Sequence, residues 1–227
     1  MSAFPANKRL IVTFTVDADR EAGLNTWYNL EHVAPRLGMP AGRGFQTCHR
    51  FFVSNGASRY LNVYDVDDNG LDSTEYAQIR DAEAEMPDVV HHTRHFKNDY
   101  APQFRRLVVN HAEQLAGERG DHGTADAVIV DAVRGSKYDD LLVWTRTTFK
   151  AMLAASDIVT AAAVWNLEGD DGYVIITDVD LRREFNWGRA YGGALAWLPK
   201  HATEGVRPET IVGHSIARYA RAAPASS

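Results

Sequence analysis

Residues 27–32 read WYNLEH, and they gather two aromatic rings, an amide, a carboxylate and an imidazole within six positions. His32 is the group among them best suited to proton transfer near neutral pH. Tyr28 and Asn29 precede it by four and three residues. In a helix these three side chains share a surface, so the hydroxyl and the amide can orient the imidazole or a bound molecule. Pro35 disfavours helix at the residue before it, which predicts a helix ending near His32 or Val33. A histidine in a last helical turn feels the negative end of the helix dipole, and the protonated form is then favoured. The plainer role for such a residue is to cap free carbonyls.

Two strand-like segments offer further polar groups. In FQTCHRFFV, alternation places Phe45, Thr47, His49 and Phe51 on one face and Gln46, Cys48, Arg50 and Phe52 on the other. In SRYLNVYDV, Tyr60, Asn62 and Tyr64 share a face, a mixed polar and aromatic row that suits a lined pocket as well as cross-strand packing. His49, Tyr60, Tyr64 and Trp27 are therefore candidate substrate-binding residues. A fifth is His92, in VVHHTRHF, which falls on an apolar helical row with Val89 and Phe96. His91 and His95 are spaced i, i+4, as metal ligands on a helix can be, but no third ligand is local and no metal site is assigned. Cys48 is the only cysteine; no internal disulfide can form, and it reads as a buried thiol.

The elements that must hold these groups follow from periodicity. Lys8–Val16 reads as a strand, the run containing WYNLEH as a helix, residues 45–53 and 58–66 as a hairpin, LDSTEYAQIRDAEAE as a helix and 104–109 as a strand. That order, β-α-β-β-α-β, is the ferredoxin-like unit. After a polar linker at 111–124 the order restarts. A strand at 125–133 is followed by a helix at 138–155 with Leu141, Trp144, Thr148, Phe149 and Met152 on one side. A hairpin around EGDDG, a glycine-rich helix at 182–198 and a strand at 209–219 complete it. Leu10 corresponds to about Ala127 and Tyr60 to about Tyr173. The expected fold is α+β: a ferredoxin-like unit over 1–110, a second, degenerate one over 125–221 and a short tail at 222–227. A four-stranded sheet with both helices on one face leaves its other face bare, so the two antiparallel sheets are expected to close into one α/β barrel.

The first half resembles the dimeric α/β-barrel superfamily, in particular its EthD-like branch. The resemblance rests on Trp27-Tyr28-Asn29-Leu30-Glu31-His32 with Pro35, on Gly38-Met39-Pro40 and Gly44-Phe45, on Arg59-Tyr60-Leu61 and on Ser73-Thr74-Glu75-Tyr76. It spans the first unit; the second helix, YDDLLVWTRTTFK, has no counterpart of the Tyr-Asn-x-Glu-His string. That superfamily includes cofactor-free monooxygenases, polyketide cyclases, muconolactone-type isomerases, dehydratases and haem-handling enzymes, with a pocket between sheet and helices for a small, often aromatic molecule. The resemblance thus implies a cofactor-independent lyase, isomerase or cyclase acting on an aromatic or polyketide-like substrate. It leaves a non-catalytic carrier of such a molecule or of haem, and a cofactor-free monooxygenase, as alternatives.

Composition limits the partners. The chain has 227 residues, 45 % hydrophobic and 24 % charged, with a formal charge of −6. An acidic chain gains little from phosphate backbones or anionic lipid, so neither nucleic acid nor a membrane is expected. No Walker A, Rossmann glycine pattern, nucleophile elbow or CxxC occurs. No long apolar stretch is present, and a cytoplasmic protein is expected, either a monomer with a pseudo-dimeric barrel or a homodimer.

Overall fold

The computed structural model describes residues 6–54, 58–85, 105–118, 125–134, 142–156, 158–180 and 209–222. His91, His92 and His95, the helix expected at 182–198 and its aromatic residues lie outside them. Eight strands, β1 (Lys8–Phe14), β2 (Phe45–Val53), β3 (Tyr60–Val66), β4 (Arg105–Ala116), β5 (Ala127–Arg134), β6 (Val159–Leu167), β7 (Gly172–Val179) and β8 (Glu209–Ala220), are hydrogen-bonded in the order β1-β3-β2-β8-β5-β7-β6-β4 as a closed barrel, and the α+β class expected from the sequence is found.

The chain divides into two compact units. The N-terminal unit comprises Ala6–Phe52, Gly56–Leu107 and Ile216–Ser227. It contains β1 (Lys8–Phe14), β2 (Phe45–Val53) and β3 (Tyr60–Val66), with β3 antiparallel to both neighbours. Helix α1 (Glu21–Trp27) does not stop near His32. It passes into a π-helical turn over Tyr28–His32 and then into α2 (Val33–Leu37). The Val33 amide donates to the Tyr28 carbonyl, five residues back, so the helix restarts there. Pro35 therefore sits in the first turn of the restarted segment, where an N–H has no intrahelical acceptor to lose. Helix α3 (Thr74–Glu85) begins as expected: Ser73 Oγ accepts the Tyr76 amide at 3.2 Å as its N-cap.

Register assigns the two faces of this sheet. Tyr60, Asn62 and Tyr64 oppose Phe14, Val12 and Leu10 of β1 and Phe52, Arg50 and Cys48 of β2, and together they face α1 and the π-turn. Thr47, His49 and Phe51 share the other face with Asp65, Val63 and Leu61. A β-bulge between Phe45 and Thr47 changes one assignment. It turns Phe45 to the helix side, against Tyr64 and Tyr76, rather than to the side of Thr47.

The C-terminal unit comprises Val108–Ser215 and Val53–Asn55 with the N-terminal residues Met1–Pro5. Its strands are most of β4 (Arg105–Ala116), β5 (Ala127–Arg134), β6 (Val159–Leu167), β7 (Gly172–Val179) and the first half of β8 (Glu209–Ala220). β4 continues past Val109, so residues 111–116, expected as linker, are strand paired with β6. A second π-turn, Thr145–Phe149, leads into α4 (Lys150–Ala154). The wider turn shifts the buried row to Thr145, Phe149 and Leu153 and leaves Thr148 exposed, against the expected 3.6-residue row. Phe149 and Leu153 pack with Ile129, Val164 and Ile175 in a continuous apolar core.

Candidate functional site

The π-turn sets the geometry of WYNLEH. The i→i+5 bonding of the widened turn brings Trp27 and His32 together, with ring centroids 4.6 Å apart, and Tyr28 lies 4.4 Å from His32. The imidazole is thus wedged against two aromatic rings. Its Nδ1 lies 3.2 Å from Glu83 Oε1 on α3. Glu83 in turn grips Arg36 through two contacts of 2.6 and 2.8 Å, and Arg36 also donates to the His32 carbonyl at 2.6 Å. Burial, reinforced by the positive charge of Arg36, lowers the His32 pKa to about 4 despite Glu83. The sequence led us to expect the opposite, a protonated histidine at a helix end. His32 is instead in mid-helix, away from the carbonyl end that favours the cation. Arg36 and His32 hold the Glu83 carboxyl down to about 2.

Tyr28 points from the helix into the sheet. Its hydroxyl shares a short hydrogen bond with that of Tyr64, and both rings are buried. Burial raises both phenols above their usual range, so both are neutral. Burial likewise pushes the Cys48 thiol, beneath them, up to about 12 and leaves it an inert packing group, as the sequence suggested.

Beside Tyr28 lies Arg50, 1 % exposed. Its guanidinium donates from Nε to Asn62 Oδ1 at 3.2 Å, from Nη2 to Asn25 Oδ1 at 2.8 Å and from Nη1 to Asn29 Oδ1. The guanidinium carbon lies 4.4 Å from the Tyr28 ring centroid and 5.8 Å from that of Tyr60. Asn25 Nδ2 donates to the Tyr60 hydroxyl at 3.0 Å, and that hydroxyl donates to Glu21. Arg59 closes the chain on Glu21 at 3.0 Å.

Of the residues expected at the site, the structure brings together Trp27, Tyr28, Asn29, His32, Tyr60 and Tyr64. It separates His49, which lies on the other sheet face with Phe51 at 5.4 Å and with Arg9, Asp65 and Arg218 around it. His49 fails to join the group because strand alternation carries it away from α1. Sequence reasoning missed Arg50, Asn25, Arg36 and Glu83. Alternation placed Arg50 on one face with Cys48 and Phe52, as found, and a charged residue in an apolar strand was the available signal. Among the described residues, no three His, Cys, Asp or Glu side chains cluster as metal ligands, and no helix is long and apolar enough to cross a membrane.

The fold is that of ferredoxin-like α/β-barrel proteins. A protein described as anthrone oxidase-like superposes with a TM-score of 0.55 at 12 % identity, over 94 % of this chain and 92 % of that one. A provisionally named monooxygenase from Fusobacterium nucleatum superposes with a TM-score of 0.55 at 7 % identity, over 96 % of both chains. A single-residue variant of chlorite dismutase from Candidatus Nitrospira defluvii gives 0.51 at 14 % identity, over 93 % of this chain and 92 % of that one. No family model and no curated protein sequence matches the chain.

Proposed function

We propose that this chain is a cofactor-independent enzyme of the lyase, isomerase or cyclase kind, acting on a small aromatic or polyketide-like molecule, with His32 as its proton acceptor. The observation that carries this reading is the state of His32: an imidazole held neutral, clamped between Trp27 and Tyr28, with Glu83 Oε1 3.2 Å from its Nδ1. That leaves Nε2 to take a proton from a C–H made acidic by a neighbouring carbonyl. The electron pair moves to the carbonyl oxygen, where a hydroxyl of the Tyr28–Tyr64 pair can hydrogen-bond it. Returning the proton elsewhere is isomerisation, expelling a leaving group is elimination, and attack on a second carbonyl is cyclisation.

The finer kinship with the EthD-like branch belongs to the same proposal, as does a tandem duplication. The two π-turns support the duplication: Trp27, Tyr28 and His32 correspond to Trp144, Thr145 and Phe149, each 117 positions on. Trp144 stacks on Phe149 at 5.5 Å as Trp27 does on His32. Phe149 has no proton to move, so of the two π-turns only the first carries such a site.

A second reading, a cofactor-free monooxygenase, shares the first step; dioxygen then takes the carbanion's electrons. It draws on the names of two structural neighbours. In a haem carrier His32 would be the residue to hold the group, through Nε2 since Nδ1 lies 3.2 Å from Glu83, and the haem would supply ligand or oxygen binding. Anthrone is a suitable probe, being a tricyclic ketone with an acidic methylene. Enzyme with anthrone in air should yield anthraquinone and water, one dioxygen consumed per anthrone, if the oxygenase reading holds. Under the lyase, isomerase or cyclase reading, substrates of those classes turn over without oxygen uptake. In both, His32→Ala with an unchanged circular dichroism spectrum should lose at least about 100-fold in rate. A well-folded His32→Ala protein with full activity would sink the assignment, and a haem absorption band on titration would favour the carrier.

A further inference from the structure

The three buried arginines of the N-terminal unit differ in one respect. Arg9 meets Asp65 at 2.7 Å, and Arg36 meets Glu83 at 2.6 Å. Arg50 is the most deeply enclosed of the three, and its side-chain hydrogen-bond partners among the described residues, Asn25, Asn29, Asn62 and the Tyr219 hydroxyl, are all neutral. The nearest carboxylate in its network, Glu21, is already engaged by the Tyr60 hydroxyl and by Arg59. Amide dipoles and two aromatic faces solvate a guanidinium but do not neutralise it. An enclosed cation without a counter-charge costs several kcal/mol, which a bound anion would offset.

We propose that the molecule bound at this site is an aromatic carboxylate or phenolate, and that Arg50 supplies the counter-charge that recognises it. Asn25 and Asn29 are both half-buried and accept from Nη2 and Nη1. Those two nitrogens form one edge of the guanidinium fork. A carboxylate approaching past α1 meets both in parallel and takes the place of the two amide oxygens. Asn62 on β3 keeps Nε fixed throughout, so the fork stays oriented. The rings of Tyr28 and Tyr60 border the same guanidinium and supply aromatic surface for the rest of the ligand. His32 lies 4.4 Å from that same Tyr28 ring, so an anion seated on Arg50 has its body beside the proton acceptor.

This inference uses the preceding reading only for where the ligand lies. Its test is binding, measured by titration calorimetry on the full chain with naphthoate and with its uncharged isostere naphthamide. Naphthoate should bind at least about tenfold more tightly. The preference should vanish in Arg50→Gln and persist in weakened form in Arg50→Lys, which keeps the charge without the fork. His32→Ala should lose turnover while keeping the preference for naphthoate over naphthamide, which separates recognition from proton transfer; a His32→Ala protein without that preference overturns the proposal. Equal affinity for the two probes in the wild type, or no binding of naphthoate, overturns the proposal whatever the variants do. A folded Arg50→Gln protein that keeps the preference overturns it too.

Discussion

Acid should destabilise this protein well before its carboxylates are protonated, and His32 should account for a defined part of the loss. The imidazole titrates near 6.5 in an unfolded chain and near 4 in the folded protein. The folded state therefore binds fewer protons in that window. Stability is fully present above about pH 6.5 and is lost as the pH falls toward 4. Integrated over that window, the loss from one such histidine is about 2 kcal/mol at pH 5 and about 3 kcal/mol at pH 4. His49, also lowered to about 4 by burial and by Arg218, contributes similarly from the opposite sheet face. The two add because they share no partner. Glu83, held down to about 2, loses its contribution only below about pH 4.5 and leaves the comparison at pH 5 untouched. The assay is urea unfolding at pH 7.5 and pH 5.0 for the wild type and for His32→Gln. The variant loses ring stacking and starts less stable, so the difference between the two pH values is the quantity to compare. That difference should be about 2 kcal/mol smaller in the variant. Equal differences would mean that His32 is protonated in the folded protein, as a helix-end histidine would be, and would refute the reasoning.

Two further substitutions probe the groups around it. Glu83→Gln leaves Arg36 enclosed without its counter-charge, and should cost about 2–4 kcal/mol in urea unfolding, while Arg36→Met combined with Glu83→Leu should recover most of that. Tyr28→Phe leaves the buried Tyr64 hydroxyl with the weakly bonding Cys48 thiol and should cost about 1 kcal/mol, read as a lowered thermal midpoint with an unchanged circular dichroism spectrum.

The element order and the limits of β2 and β3 were legible because β-branched and aromatic runs stand between turn signals, whereas the polar residues 111–116 hid the second half of β4. Phe45–Val53 and Tyr60–Val66 sit where the sequence placed them. Three features were not legible, and each has a local cause. The bulge at Phe45 inserts one residue, and nothing in FQTCHRFFV distinguishes it from an unbroken strand. The π-turns likewise lengthen the hydrogen-bond span from four residues to five over a single turn, so Trp27 and His32 meet and Thr148 turns outward. Pro35 was a correct sign of an interrupted hydrogen-bond ladder but not of a helix end. The third feature, the Arg36–Glu83 pair, joins residues 47 positions apart, and only the docking of α3 beside α2 brings them to His32. The sign of the His32 shift depended on that docking, and the local helix dipole alone pointed the wrong way.

The central claim is that His32 takes a proton from carbon, and solvent exchange tests it without requiring any later step. The probe ketone is incubated with enzyme in D2O under argon, and deuterium entry at its methylene is followed by NMR. The wild type should accelerate exchange over buffer, and a folded His32→Ala protein should return it to the buffer rate. Exchange at the same enhanced rate in His32→Ala, or no acceleration by the wild type, would contradict the account.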